Sequence, residues 1–471
     1  MAIRAVQGGG RIKRLRATQG GVVAGPSLPQ SGSVVAHWSA DGIAPLPDNT
    51  AIGTSWTDSV GGFTFSQATS ANQPKYRTNA LGTKPGLQFT GSSWMNGLMP
   101  SLKTVIDSKT YTVYILVSAV QVRSNGSIFS NSAGGNSFNF QGTGALIGRF
   151  NAPTLELRAP WTDTASAISM GYTSSATKPY PSQSGTALER CYFNGMCATS
   201  NAGVGPGTSA ADGSFSVGAL NATGTQPSQC YVYEIIVWNR VLTPAENAQA
   251  EVWARSKYSQ AVPWASLPRM FHFDGDSLTV GVGTPSIASS YPYQVAQSLG
   301  LAYGQWAMHA VGGLTTQDMS GNAGSTAKIN DFLNLVTYTG VTGRVLAFEW
   351  YNEKNTGRTA QAYSDMVTYC STVKAAQVGL KLCLGSSTGY TGDATDPYAT
   401  VRGAYNALLD ANNGSMADSY VPIHNDPTIG DGNSYANNSA TDWAGDGVHL
   451  NATGRAVLAG LMLTGAQAIN N

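Results

Sequence analysis

The chain has 471 residues, enough for two domains. Only 11 % of them are charged, and 27 Lys and Arg against 26 Asp and Glu give a formal net charge of +1, which excludes a nucleic-acid-binding face or a polybasic anchor as the main business. Hydrophobic content of 42 % suits ordinary cores, but no apolar run approaches the roughly 20 residues of a membrane span.

Residues 1–31 read as a flexible basic arm. Arg4, Arg11, Lys13, Arg14 and Arg16 precede the first acid, Asp41, and no apolar stretch follows them as in a secretory leader. The arm is either a disordered terminus or a peg that orders on a larger assembly. Residues 32–258 read as all-β, with short strand-like runs separated by Gly, Asn, Ser and Pro. Thr110 to Val120 and Tyr231 to Trp238 are apolar on nearly both faces, as strands buried between two layers should be. A helix closes this part from Pro244 to Tyr258, capped by Thr243 with Glu246 in its first turn. Residues 259–268 carry two prolines and read as a short, stiff linker.

Residues 269–471 alternate between strand and helix. Strands are expected at Met270 to Phe273, Gly304 to Ala310, Arg344 to Tyr351, Leu380 to Leu384 and Tyr420 to Ile423. A helix is expected from Arg358 to Val378, ended by Gly379. This order predicts a parallel sheet covered on both faces, with its ligand site beyond the carboxyl ends of the strands. The five cysteines (Cys191, Cys197, Cys230, Cys370, Cys383) form no CxxC pair, so no metal or other cofactor is expected. Cys191 and Cys197 could pair, with Cys230 as competitor, or all could be buried free thiols.

The chemistry gathers at four places. Gly275-Asp276-Ser277-Leu278 follows the first expected strand. A serine hydroxyl there needs a base, and the base needs orienting. His449 is the candidate base. Asp446 lies three residues before it in a glycine-containing loop, so one loop can present both side chains. Oxyanion donors fit at Val311-Gly312-Gly313 after the second strand and at Asn352 after the third. His37, His272, His309 and His424 have no such sequence partner.

These four segments, in order, resemble the SGNH (GDSL-type) hydrolase family over the whole of residues 269–471. The resemblance implies a three-layer α/β/α fold and a metal-free esterase. Its nucleophile is Ser277, and its Asp-x-x-His block is Asp446 and His449. The oxyanion hole is Ser277, Gly313 (or Gly312, one register away) and Asn352. One departure stands out: Trp350 occupies the position where the family's Gly-x-Asn-Asp block has glycine. Residues 32–258 resemble a concanavalin-like, LamG-type jelly-roll, through Val34 to Asp41, Thr54 to Asp58, Leu87 to Gly91, Ser214 to Gly218 and Val237 to Glu246.

The expected protein is an all-β jelly-roll sandwich followed by an α/β/α hydrolase domain. Its expected activity is a carboxylic ester hydrolase removing O-acetyl or similar groups from carbohydrate, with Trp350 and Trp443 as exposed, substrate-lining aromatics. The expected partners are an acylated glycan and, through the basic arm, virion proteins. Neither nucleic acid nor membrane insertion is expected, and a homo-oligomer is compatible with the sequence. The expected setting is a virion or the extracellular space. The alternatives are a catalytically silent receptor-binding or structural virion protein, and a secreted lipase or thioesterase.

Overall fold

The computed structural model describes residues 26–108, 110–121, 126–131, 136–140, 146–150, 155–157, 166–174, 187–193, 196–202, 213–262, 264, 267–282, 289–301, 305–321, 329–349, 352–390, 398–430, 442–444 and 446–471. Residues 1–25, most of the expected arm, and Trp350 lie outside them.

Two antiparallel sheets build the N-terminal part. A nine-stranded sheet is centred on Thr110–Gln121 and Gln229–Trp238, and an eight-stranded one on Gly126–Asn131 and Ser214–Val217. Their inner faces share one core, in which Trp38, Phe89 and Val113 meet Trp56, Phe65, Phe129 and Phe215. The strand Gln229–Trp238 is buried on both faces. Cys230, Val232, Ile235 and Val237 enter the core between the sheets, while Tyr233, Ile236 and Trp238 meet the helix Pro244–Lys257. A register shift between Val232 and Glu234 explains why the inward set changes parity. The helix opens with a reciprocal capping box: Glu246 N–H donates to Thr243 Oγ1 at 3.2 Å, and Thr243 N–H donates to Glu246 Oε2 at 2.7 Å.

Glu234 is fully buried beneath this helix. It accepts hydrogen bonds from His37 Nε2 at 2.7 Å, Ser39 Oγ at 3.0 Å, Lys257 Nζ at 2.5 Å and Tyr258 OH at 2.7 Å. The described end of the arm is docked here too, where Trp238 Nε1 donates to the Pro29 carbonyl at 3.0 Å. Cys230, Cys370 and Cys383 are buried free thiols. The side chains of Cys191 and Cys197 lie outside the described residues.

The segment expected as a linker is partly structural. Trp264 is buried with Met270, Ala307 and Phe332 of the C-terminal part, together with Ala248 of the closing helix. One core therefore runs across the join.

The C-terminal part holds a parallel five-stranded sheet. Its strands are β1 (Arg269–Gly275), β2 (Trp306–Ala310), β3 (Thr342–Ala347), β4 (Lys381–Gly385) and β5 (Ser419–Val421), in spatial order β2-β1-β3-β4-β5. Val345, Leu382 and Leu384 face one core with Phe332, Met366, Tyr369 and Leu409. Phe271, Phe273, Leu346 and Cys383 face another with Tyr291, Val295, Leu458 and Met462. Helices thus cover both faces. The strand order reverses between β1 and β3, and a crevice beyond their carboxyl ends is where such sheets hold ligands.

Several boundaries differ from expectation. β3 ends at Ala347, short of Tyr351. β5 stops at Val421, before Pro422 and a short 3-10 turn. The long helix spans Ala362–Ala376 and is ended by Gln377, not Gly379. The Gln377 side chain accepts from Gly343 N–H at 2.9 Å and donates to the Val341 and Val336 carbonyls at 3.0 and 3.2 Å, which draws its backbone out to φ −152°.

Candidate active site

Ser277 opens a four-residue helical turn straight after β1. Asp276 caps that turn, accepting from Leu278 N–H at 2.8 Å. Gly275 permits the sharp exit from the strand, since a Cβ there would lie 2.3 Å from Thr279 Oγ1 and 2.8 Å from the Phe348 carbonyl. Ser277 is 8 % exposed, so it lies just beneath the surface.

The loop after β2 lies against this turn. Val311 N–H donates to the Gly275 carbonyl at 3.3 Å, and a Cβ on Gly312 would sit 3.7 Å from Ser277 Cβ. Gly312 is therefore the glycine found beside the serine, while Gly313 carries the left-handed φ of +80° that turns the chain. The next residues form a second capping box, Thr315 with Asp318.

Asn352 follows β3 and is buried. Its Nδ2 donates to Asp276 Oδ2 at 3.1 Å, the Leu314 carbonyl at 2.9 Å and Glu349 Oε1 at 3.1 Å. One NH₂ group has two protons, so both are shared among three protein acceptors. Asn352 thereby stitches together the loops after β1, β2 and β3.

The fourth segment is a closed loop ahead of the helix Ala452–Ile469. Ala444 N–H donates to the His449 carbonyl at 2.7 Å and Asn451 N–H to the Asp442 carbonyl at 3.0 Å. Asp446 Oδ1 accepts from the Val448 and His449 N–H groups, each at 3.0 Å, and Oδ2 accepts from His449 Nδ1 at 2.6 Å. Partial burial works to raise the Asp446 carboxyl, but the His449 and Val448 hydrogen bonds outweigh it and hold the group at about 2. It is ionised at neutral pH. His449 Nε2 is buried and has no hydrogen-bond partner among the described residues. The Ser277–His449 hydrogen bond is thus not made in this structure. The residues flanking both groups share a core, however, in which Leu278, Phe348, Trp443 and Leu450 pack together.

That core corrects one expectation. Trp443 is 5 % exposed, so its ring anchors the loop from beneath and presents no face to a substrate. His272 and His309 are buried packing groups, His272 stacking on Phe332 at 4.5 Å between ring centroids. His37 and His424 do have partners that only the fold reveals. His424 Nδ1 lies 2.8 Å from Ser386 Oγ and its Nε2 3.1 Å from Asp410 Oδ2. This second Ser–His–Asp chain cannot meet a substrate, because Ser386 is 0 % exposed.

Sequence reading also passed over the two acids flanking Asn352. Glu349 and Glu353 are almost wholly buried, and Glu353 Oε1 accepts from Thr316 N–H at 2.6 Å and from the Thr316 hydroxyl. Burial, then the charges of Glu353 and Asp276, push the Glu349 carboxyl well above the usual range. Burial likewise pushes Glu353 up to about 8, against the opposing hydrogen bonds from Thr316. Beside them is a narrow cleft of about 10 Å³, room for a single water, lined by Asp276, Leu278, Phe348, Glu349, Ser387, Thr388 and Arg402.

No family model and no curated protein matches the chain. Among solved structures it is similar to a sialidase of Trypanosoma rangeli, at 13 % identity over 48 % of this chain and 34 % of that one, with a TM-score of 0.33. It is similar to domain 4 of AbnA, a GH43 extracellular arabinanase from Geobacillus stearothermophilus, at 16 % identity over 46 % and 98 % of the two chains, TM-score 0.33. It is also similar to a member of the lipolytic protein G-D-S-L family from Veillonella parvula, at 15 % identity over 42 % and 97 %, TM-score 0.30. The chain spans about a third of the length of the sialidase it matches. At such TM-scores these likenesses decide nothing about activity, which has to be argued from the side chains.

Proposed function

We propose that the chain is a serine esterase that removes O-acetyl or similar acyl groups from carbohydrate. Ser277 is its nucleophile, His449 its general base and Asp446 the carboxylate that orients the base. One observation carries this reading: His449 Nδ1 is held by an ionised carboxylate, while Nε2 is buried and has no partner among the described residues. That arrangement fixes the proton on Nδ1 and leaves Nε2 to accept one.

In the reaction, Ser277 Oγ attacks the ester carbonyl carbon and its proton passes to His449 Nε2. The Asp446 carboxylate stabilises the resulting imidazolium. The backbone N–H groups of Ser277 and of Gly312 or Gly313 receive the developing oxyanion, and Asn352 joins them by releasing one of its three acceptors. Collapse of the tetrahedral intermediate breaks the C–O bond, and His449 returns the proton to the leaving sugar oxygen. Water then attacks the acyl-enzyme, with His449 again as base, releasing the acid and Ser277. Catalytic hydrogen bonds are often unformed or long before substrate binds, so the missing Ser277–His449 hydrogen bond is compatible with a resting state.

Carbohydrate is favoured by the uncharged, polar composition and by the β-sandwich, which would hold a glycan or a neighbouring subunit. In the same reading the chain acts outside the cell or on a virion, with its basic arm as the attachment peg. The shared amide of Asn352 favours a second reading, a silent binding protein. Hydrolysis of p-nitrophenyl acetate and of acetylated glycans by the wild type and by Ser277→Ala decides between them. The esterase reading expects release of acetate that depends on Ser277; equal rates would end it.

A further inference from the structure

The three loops around Ser277 are joined from below by acids. Asp276, Glu349 and Glu353 are 1 %, 1 % and 0 % exposed. Asn352 Nδ2 lies 3.1 Å from Glu349 Oε1 and 3.1 Å from Asp276 Oδ2, which brings those two carboxyls to one amide, and the charge of Glu353 acts on Glu349 as well. Ionised carboxylates only accept hydrogen bonds, so in that form such neighbours repel and leave oxygens unsatisfied. Among the described residues, Glu349 Oε2 and Glu353 Oε2 have no hydrogen-bond partner. A proton on each acid would turn these orphaned acceptors into donors and satisfy the row.

Further titratable and charged groups stand around the row. Asp318, in the short helix Thr316–Ser320, adds negative charge beside Glu353. Asp365, in the helix Ala362–Ala376, lies 3.5 Å from Thr316 Oγ1 and is paired with Arg358 at 2.9 Å. From the helix Ala399–Met416, Tyr405 OH donates to the Glu349 carbonyl at 3.2 Å, and Arg402 lines the same cleft as Glu349.

We propose that Glu349 and Glu353 are positioning residues that act in their protonated form, sharing protons with Asp276 so that the Ser277 turn, the Thr316 helix start and the Asn352 turn keep one register. The catalytic consequence rests on the esterase reading above. Asp276 is the pivot, because it caps the serine turn and receives Asn352. When a second charge enters the row, Asp276 loses a donor and gains a repelling neighbour, and the serine turn is no longer held. The raised Glu349 and Glu353 carboxyls agree with this and place the loss on the alkaline side, from about pH 8 upward.

The test compares full-length wild type with E349Q, E353Q and E349A. Infrared spectra at pH 7 should show a protonated-carboxyl stretch in the wild type that weakens in E349Q and again in E353Q. This readout needs no activity, so it stands even if Ser277→Ala shows the esterase reading to be wrong. In p-nitrophenyl acetate assays E349A should lose about 10–100-fold in kcat/KM, the scale of outer supporting residues. E349Q should recover most of that loss, because glutamine keeps a neutral donor of the same shape, and its alkaline decline should shift upward or vanish. An unchanged carboxyl band in both glutamine variants would overturn the proposal. So would an alkaline limb identical in E349Q and the wild type, since a merely structural role would leave the pH profile where it was.

Discussion

In the β-sandwich, the fully buried Glu234 is met by an imidazole, two hydroxyls and an ammonium. In the parallel-sheet domain, the equally buried Glu349 and Glu353 are met chiefly by one another, an amide and a threonine. Burial opposes charge in both places, yet the outcomes are opposite. The hydrogen bonds of His37 and the charge of Lys257 overcome burial and hold the Glu234 carboxyl below its ordinary value. Glu349 and Glu353, short of donors, are held above it. What decides the state of a buried acid is its supply of donors, not its depth. The well-supplied acid locks a scaffold, and the undersupplied ones lie beside the candidate site.

The variants that strain this comparison most are those of the site itself. Ser277→Ala should lower kcat for p-nitrophenyl acetate by on the order of 10⁴–10⁶-fold, without a matching loss of thermal stability. Asp446→Asn should cost roughly 10⁴-fold, because it upsets the tautomer of His449. Next comes the scaffold. Glu234→Ala leaves Lys257 without its buried partner and should cost about 3–5 kcal/mol in denaturant-induced unfolding, with no direct effect on the site.

Stability against pH then sharpens the contrast, because the two regions should slope oppositely. Glu234 is held below its unfolded value, so its contribution is present above about pH 4.3 and is lost as the pH falls through the folded value. Glu349 and Glu353 are held above theirs. Their contribution is complete below about pH 4.3 and is lost as the pH rises toward and past the Glu353 value of about 8. Denaturation midpoints should therefore show an acid-side loss that Glu234→Gln reduces and an alkaline-side loss that Glu353→Gln reduces. The smallest effect is expected at Thr243→Ala, which opens one capping box and should cost about 1 kcal/mol.

Local chemistry made much of this architecture legible in the sequence. The run Tyr231 to Trp238 could be read as buried on both faces because all of it but Glu234 is apolar or aromatic, and the Thr243–Glu246 box because Thr, Pro and Glu fall at the right spacing. The alternation of the last 200 residues announced a parallel sheet, and the spacing of Asp446 and His449 announced their pairing. What sequence could not supply was tertiary placement. Nothing local marks Trp264 as part of a core shared across the join, or Trp443 as an anchor facing inward. Gln377 ends its helix through bonds to residues over 30 positions away, which no end-of-helix rule would find. The Glu349–Glu353 pair was visible as letters, but its meaning depends on Asp276 arriving from a strand more than 70 residues earlier.

The central claim is that Ser277 is activated by His449. Treatment with a fluorophosphonate, followed by mass spectrometry of the digested protein, tests it without knowledge of the natural substrate. The account predicts a single adduct on the peptide bearing Ser277 in the wild type and none, or very slow labelling, in His449→Ala. No adduct on Ser277, or equal labelling in the two proteins, would contradict it.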